Sequence, residues 1–296
     1  MTNMRASHAR AALAVSCVLS TAIVAPARAQ RDSAAWVTRR DVEMGVAALG
    51  ATAALAPFDH RISNEFTEPG WGRGSKRQRA AGDVAALGGR GPFLVSGVAL
   101  AVGTAVDLPF FTRLALHNVE AIALGGGLAG LIRGFTGRAL PNVSTNEQFS
   151  FGRGFHDDNG PYVSFPSGHT TAAFAMAATI SGEVRRASPP IAPIVTPTVF
   201  TLATAVGLAR VAQRDHWPTD LPLAMAIGIW SGEAVQAHGG GRGLLARAVS
   251  GITAVPTVGG RTFVGWSLLS SERAQRADRD RTVPDPAGGP VEIRRK

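Results

Sequence analysis

The strongest constraint on the fold is a series of long, nearly uncharged segments that are rich in Ala and Gly. Each segment is long enough for a helix, and small residues let neighbouring helix backbones approach closely. Polar turns between the segments would make successive helices antiparallel. We therefore predict an all-α antiparallel bundle of about six helices. The segments are residues 42–58, 93–106, 114–132, 167–184, 193–211 and 220–238.

The N-terminus has the three-part pattern of a secretory signal peptide. Arginines precede an apolar run over residues 11–25, and a small-x-small sequence ends at Ala29. We predict cleavage after Ala29 and export to the periplasm or the envelope membrane; the alternative is an uncleaved membrane anchor. The only cysteine, Cys17, lies inside this segment. The mature chain would therefore contain neither a disulfide nor a thiolate metal site.

The pattern changes near the C-terminus. Residues 251–270 alternate between apolar and polar, with Gly259 and Gly260 as a turn, which predicts a β-hairpin. The charged remainder is typical of a disordered tail. The predicted organisation is a signal peptide (1–29), a helical catalytic domain (30–240), a hairpin appendage (241–271) and a tail (272–296). Residues 59–91 are polar and basic, which favours a solvated loop; attraction to anionic lipid head groups is the alternative.

Charge narrows the choice of partner. The chain has a formal net charge of +9, 45% hydrophobic residues and only 17% charged residues. A basic balance fits a membrane surface, an anionic substrate or nucleic acid. We disfavour nucleic acid because no basic stretch is interleaved with aromatic residues. The short runs 42–58 and 93–106 leave open whether the bundle lies in the membrane or beside it, since a spanning helix needs about 20 apolar residues.

A short polar sequence opens one of the apolar segments. It reads Pro166, Ser167, Gly168 and His169. The start of a helix leaves backbone N–H groups unpaired, which makes a site for an anion, and the histidine can donate or accept a proton. We interpret this turn as a phosphate-binding site.

In an antiparallel bundle, four separate stretches would deliver chemically active residues to the same end as this turn. Arginines and helix N–H groups neutralise phosphate oxygens, and histidines can attack phosphorus or protonate a leaving group. We assign His216 as the nucleophile, Asp220, four residues later, as the residue that orients it, and His169 as the general acid. Nothing in this scheme needs a metal or a cofactor. The converging residues are Arg133, Ser167, Gly168, His169, Arg210, His216 and Asp220.

These residues resemble motifs two and three of the type 2 phosphatidic acid phosphatase (PAP2) superfamily over roughly residues 42–233. The superfamily's first motif is a Lys, six residues and then Arg-Pro. The corresponding run here begins with Arg133 in place of the Lys and has Leu140 in place of the Arg. The second change removes one phosphate-binding cation. Arg138 is a candidate to reach the phosphate instead.

The resemblance implies a PAP2-type bundle and a metal-independent phosphatase that acts on a phosphomonoester or diphosphate through a phosphohistidine. The expected substrate is a phosphorylated lipid or a small phosphoester, with membrane association and an undetermined oligomeric state. Arg185 and Arg186, at the end opposite the site, favour a site that faces the periplasm. The alternatives are a vanadate-dependent haloperoxidase and a catalytically weak phosphate-binding relative.

Overall fold

The computed structural model describes residues 35–67, 70–71, 74–143, 148–152 and 161–239, together with the backbone of two strands. The predicted signal peptide and C-terminal tail lie outside the described residues. The described helices confirm the all-α prediction. They are α1 (Arg39–Leu55), α2 (Asp59–Glu65), α3 (Lys76–Gly89), α4 (Gly91–Ala105), α5 (Pro109–Thr136), α6 (Gly168–Ala187), α7 (Ala192–Ala212) and α8 (Asp220–Gly239).

Local sequence signals set the helix ends. Thr38 closes a capping box with Asp41 at the start of α1, and the Ser75 hydroxyl accepts a hydrogen bond from the Gln78 N–H at the start of α3. At the end of α5, Gly137 adopts the left-handed conformation, with φ of 52°, and its N–H donates to the Arg133 carbonyl. The helix therefore stops one turn after Arg133, which holds that arginine at the end of the bundle.

The region 59–91 corrects the prediction of a solvated loop. It contains α2 and the 14-residue helix α3. Its basic residues suggested a loop, but Lys, Arg, Gln and Ala are all strong helix formers. Ala85 and Gly88 of α3 are buried, and α3 packs against α6 and α7. A polar composition therefore concealed a helix with one packed face.

The centre of the bundle is α6, which packs against α5, α7 and α8. Glycines bring α8 close to it: a Cβ at Gly228 would lie 2.5 Å from the Thr171 carbonyl oxygen, and one at Gly232 would lie 2.8 Å from the Ala175 oxygen. Larger residues at either position would push the two helices apart. The main apolar core surrounds this contact and includes Met44, Phe174, Phe200, Val206, Leu221, Met225 and Ile229.

In the part of the chain that the structure describes, two helical segments are long and apolar enough to span a membrane, Pro109–Thr136 and Pro189–Ala212. The pair α3 and α4, which bends by 51° between its members, counts as a third if it forms one span. The outer face of α4 exposes large apolar side chains, including Phe93, Leu94 and Val98. An exposed face of this kind suits contact with lipid rather than water.

The two strands form a unit that is described by itself. β1 (Ile252–Pro256) and β2 (Thr262–Trp266) pair antiparallel, with Ile252 opposite Trp266 and Pro256 opposite Thr262. They lie within residues 244–296, which form a compact unit separate from the helical one.

Candidate active site

One end of the helical unit collects the residues that the motifs single out. His169 is in the first turn of α6, Arg133 is near the end of α5 and Arg210 is near the end of α7. His216 lies in the turn between α7 and α8. Burial and, in decreasing order, the nearby charges of Arg210, His216 and Arg133 together lower the pKa of His169 to about 4. The four side chains are therefore close enough to interact electrostatically.

The guanidinium of Arg133 lies against the start of α6. A Cβ added to Gly168 would be 3.3 Å from both terminal nitrogens of that guanidinium. Gly168 thus gives Arg133 access to the backbone N–H groups that begin the helix. Within the part of the chain that the structure describes, no carboxylate forms an ion pair with Arg133. A cation and a helix N-terminus together favour an anion at this point.

Ser167 is the N-cap of α6. Its buried hydroxyl oxygen accepts hydrogen bonds from the Thr170 N–H at 3.4 Å and the Thr170 hydroxyl at 2.9 Å. The Ser167 N–H donates to the Asp220 carbonyl at 3.1 Å, which joins this turn to the start of α8. The cap uses Ser167 as an acceptor only, so its own hydroxyl hydrogen remains available for a ligand.

The orientation of His216 differs in detail from the prediction. Its Nδ1 lies 2.8 Å from the Ser164 carbonyl oxygen and 3.5 Å from the nearer Asp220 oxygen. A carbonyl only accepts, so Nδ1 carries a hydrogen, and in the neutral form of the ring Nε2 then keeps its lone pair. The short hydrogen bond therefore comes from the backbone of Ser164, while Asp220 contributes negative charge from slightly farther away.

Asp220 also acts through Ser164. The Ser164 hydroxyl donates to Asp220 at 2.5 Å, and the Trp217 N–H donates to the same carboxylate at 2.7 Å. Asp220 is fully buried, which raises its pKa, but contact with His216, the charge of Arg138 and the Ser164 bond outweigh that effect and hold the pKa below its usual value. The ionised carboxylate thus organises the turn that holds His216.

Arg138 does not have the role that we predicted for it. All five of its N–H groups donate to protein acceptors: Asp220 and Thr219 at 2.6 Å, Asp59 at 2.6 Å, and the Gln148 carbonyl twice, at 2.8 and 3.0 Å. Its exposed fraction is only 3%. Because no donor remains for a ligand, Arg138 is a structural cation rather than a phosphate-binding one.

Asp59 is a site-supporting residue that sequence reasoning missed. Its fully buried carboxylate accepts from Arg138 and from both the N–H and the hydroxyl of Thr219. Asp59 and Asp220 thus lie on either side of Arg138, and Asp59 connects α2 to the turn that holds His216. In the sequence Asp59 only ends an apolar run, and nothing local indicates partners 79 and 160 residues away.

A glycine pair in α3 forms part of the wall beside the general-acid candidate. A Cβ on Gly89 would lie 2.8 Å from Nε2 of His169, and one on Gly88 would lie 2.8 Å from the His169 carbonyl oxygen. Only glycine allows the helix to approach this closely. The sequence signal was the adjacent pair of glycines at the end of α3, which the loop prediction for residues 59–91 concealed.

Arg210 and Arg214 have different partners. Asp215 forms an ion pair with Arg210 at 2.9 Å. Arg214 instead donates to the Pro141 carbonyl at 2.7 Å. The Nε atoms of both Arg210 and Arg214 are buried and have no hydrogen-bond partner among the residues that the structure describes. Both guanidinium groups therefore keep unused donors beside the site.

The profile of the PAP2 superfamily matches residues 114–236. Over these residues the chain is similar to the PAP2 superfamily. A lipid A 1-phosphatase of Porphyromonas gingivalis is 34% identical over 104 residues, which are 35% of this chain and 22% of that protein. The chain thus matches about a fifth of that relative's length.

The crystal structure of a transmembrane PAP2-type phosphatidylglycerolphosphate phosphatase from Bacillus subtilis resembles this structure with a TM-score of 0.51. The superposition covers 67% of this chain and 95% of that one, at 18% identity. At that identity the likeness confirms the fold of the helical bundle. Among the described residues, no group of three His, Cys, Asp or Glu side chains is placed to hold a metal ion.

Proposed function

We propose that this chain is a metal-independent phosphatase that hydrolyses a phosphomonoester or diphosphate, carried on a lipid, through a phosphohistidine at His216. The observation that carries the proposal is the hydrogen bond from His216 Nδ1 to the Ser164 carbonyl. It places a hydrogen on Nδ1, so that in the neutral ring Nε2 keeps its lone pair. A neutral imidazole with a fixed tautomer is the form that can attack phosphorus.

The reaction needs two steps. In the first, His216 Nε2 forms a bond to phosphorus, the bond from phosphorus to the leaving oxygen breaks, and His169 gives its proton to that oxygen. In the second, His169 takes a proton from water, whose oxygen attacks phosphorus and releases phosphate from His216. Arg133, Arg210 and the N–H groups at the start of α6 stabilise the negative charge in both steps.

Protonation of His169 is coupled to substrate binding in this scheme. With its pKa near 4, His169 is mostly neutral at physiological pH. A phosphate dianion beside it would oppose the charges of the neighbouring arginines and raise that pKa. The substrate would therefore bring His169 into the acid form that the first step requires.

A lipid substrate is supported by the apolar helices. Pro109–Thr136 and Pro189–Ala212 are long enough to span a bilayer, and Arg133 and Arg210 lie in the last turns of α5 and α7, which form these segments. A site at the ends of spanning helices lies near the level of lipid head groups. The two relatives described above are named for phosphorylated lipids, which is consistent with this substrate class.

The direct test is phosphate release from purified protein in detergent micelles. The substrate panel is phosphatidate, phosphatidylglycerophosphate, undecaprenyl diphosphate, lipid A and a soluble aryl phosphate. We expect a lipid substrate to be hydrolysed without added metal, and His216→Ala and His169→Ala each to abolish turnover. Arg39→Gln is the matched control, because Arg39 is 93% exposed and far from the site in sequence. Wild-type rates in His216→Ala would remove the mechanism.

We further propose that the site faces the periplasm, as the arginines at the opposite end of α6 suggest. Val143 is exposed near the site, and Ser188 is exposed beyond the far end of α6. On a cysteine-free background, an impermeant maleimide should label Val143→Cys in intact spheroplasts. It should label Ser188→Cys only after permeabilisation, and the reverse pattern would place the site on the cytoplasmic side.

A catalytically weak phosphate-binding protein is a second candidate, because Leu140 stands where the family has an arginine. The backbone N–H of Leu140 donates to the Pro161 carbonyl at 2.8 Å. This hydrogen bond holds the loop around Leu140 although residue 140 carries no charge. Tight binding of inorganic phosphate without turnover on any member of the panel would favour this candidate.

A further inference from the structure

The proposed active site is short of positive charge in its first motif. Leu140 carries none, and Arg138 directs all five N–H groups to protein acceptors. Arg133 and Arg210 remain, and Arg210 shares its charge with Asp215. A phosphate monoester carries close to two negative charges at neutral pH. By this count of charges, the site is about one cation short of neutralising the substrate.

Arg214 contacts the loop in which that cation is missing. It lies two residues before His216, and its Nη2 donates to the Pro141 carbonyl at 2.7 Å. Pro141 directly follows Leu140. The guanidinium thus extends from the turn that holds the proposed nucleophile to the loop in which the family's arginine would be rooted.

The loop that contains Leu140 and the turn between α7 and α8 are joined at a second point as well. Asn142 donates to one oxygen of Asp215 at 3.1 Å, while the other Asp215 oxygen holds Arg210. Because Asp215 is occupied in this way, it does not pair with its neighbour Arg214. Burial lowers the pKa of Arg214, and no acidic side chain opposes that effect. The charge of Arg214 is therefore not neutralised within the described residues.

Two features of Arg214 are costly unless they serve a purpose. Its φ is 61°, in the left-handed region that side chains other than glycine rarely adopt. Its Nε is buried and has no hydrogen-bond partner among the described residues. Strained backbone and unsatisfied donors concentrate at ligand sites, where the ligand supplies the missing acceptor.

We propose that Arg214 binds a phosphate oxygen of the substrate and supplies the cation that Leu140 lacks. The inference rests on the proposed function, because it assigns Arg214 to the same phosphate site. A guanidinium presents several N–H donors in a planar fork, so it can keep its bond to the Pro141 carbonyl while other donors contact phosphate.

The most informative variant is Arg214→Gly. Glycine adopts a φ of about 60° without strain, so this change removes the cation and relaxes the backbone. We expect kcat/KM to fall about tenfold to a hundredfold, the effect of losing one charge-assisted hydrogen bond. The unfolding temperature should stay the same or rise. Arg214→Lys keeps the charge but not the fork and should retain part of the activity.

A second substitution tests the compensation itself. Leu140→Arg introduced into Arg214→Gly should restore most of the lost kcat/KM, because it returns a cation to the family's position. The same substitution in the wild-type background should have a much smaller effect, since Arg214 already serves the site. Arg39→Gln is the control for removing one positive charge.

Titration calorimetry with inorganic phosphate separates this inference from the proposed function. If the wild type hydrolyses nothing, the phosphatase proposal fails, but weaker phosphate binding in Arg214→Gly still supports the role of Arg214. Unchanged phosphate affinity and unchanged kcat/KM in Arg214→Gly would overturn the inference. A fall in activity that accompanies a lower unfolding temperature and that Leu140→Arg does not rescue would also overturn it, since Arg214 would then be structural.

Discussion

Removing the carboxylate of Asp59 should destabilise the whole catalytic end of the bundle. Asp59 accepts from Arg138 at 2.6 Å and from the Thr219 N–H and hydroxyl at 3.0 and 2.5 Å. Both Asp59 and Arg138 are nearly or fully buried. Asp59→Ala would leave one side of a buried cation unpaired, together with two Thr219 donors.

The structure allows the magnitude to be estimated. Breaking a buried ion pair by removing one partner costs about 3–5 kcal/mol. Asp59→Asn keeps the shape and one acceptor oxygen, but its amide NH₂ would face a donor. We therefore expect the free energy of unfolding to decrease by about 1–3 kcal/mol. Burial raises the pKa of Asp59, while Arg138 and Thr219 oppose that shift. The ionised carboxylate is thus stabilised mainly by these partners, and the alanine variant should be the more damaging of the two.

Thermal unfolding in detergent micelles, followed by circular dichroism, measures the effect. For a domain of about 200 residues, 1 kcal/mol corresponds to roughly 2–4 °C, so Asp59→Ala should unfold about 6–20 °C below the wild type. Asp83→Ala is the matched control, because Asp83 is exposed on α3 and should change stability by at most about 0.5 kcal/mol. A shift for Asp59→Ala no larger than that of the control would refute the view that Asp59 supports the site.

Two further predictions concern His169. Gly89→Ala should lower kcat in the phosphate-release assay with little change in unfolding temperature, because its Cβ would lie 2.8 Å from His169 Nε2. Gly97→Ala is the control, because its Cβ would meet nothing within 4 Å, and it should leave the rate unchanged. Acid should also destabilise the protein through His169, since its folded pKa of about 4 lies below an unfolded value of about 6.5. The unfolded chain binds the extra proton between these values, so stability falls as pH decreases from about 6.5 to 4. As pH decreases over this range, the unfolding temperature of His169→Asn should fall less than that of the wild type. If the two proteins lose the same amount, the acid sensitivity does not come from His169.

The helices were predictable from sequence to the extent that they are apolar. The long runs that form α5, α6, α7 and α8 are rich in apolar residues, so their hydrophobicity marks them directly. α3 was missed because it buries a few small residues and carries its charges outward. A short helix that packs with Ala and Gly leaves little hydrophobic signal in a single sequence.

The candidate site was predictable where residues are close in sequence. Ser167, Gly168 and His169 share one turn, and the spacing of Arg210 and His216 brings both to the same end of the bundle. The hydrogen-bond partners were not predictable, because they join distant segments. Spacing suggested that Asp220 would bind His216 directly, whereas a backbone carbonyl from another loop takes that place.

The arginines show why charge alone does not identify a phosphate ligand. Arg138 and Arg214 lie at similar sequence distances from the motif residues, and either could have replaced the cation missing at Leu140. The structure distinguishes them by their acceptors: Arg138 lies between two buried carboxylates, whereas Arg214 has one carbonyl and an unpartnered Nε. A cation is available to a ligand only when the fold leaves it donors, and that property depends on where distant acidic residues such as Asp59 come to lie.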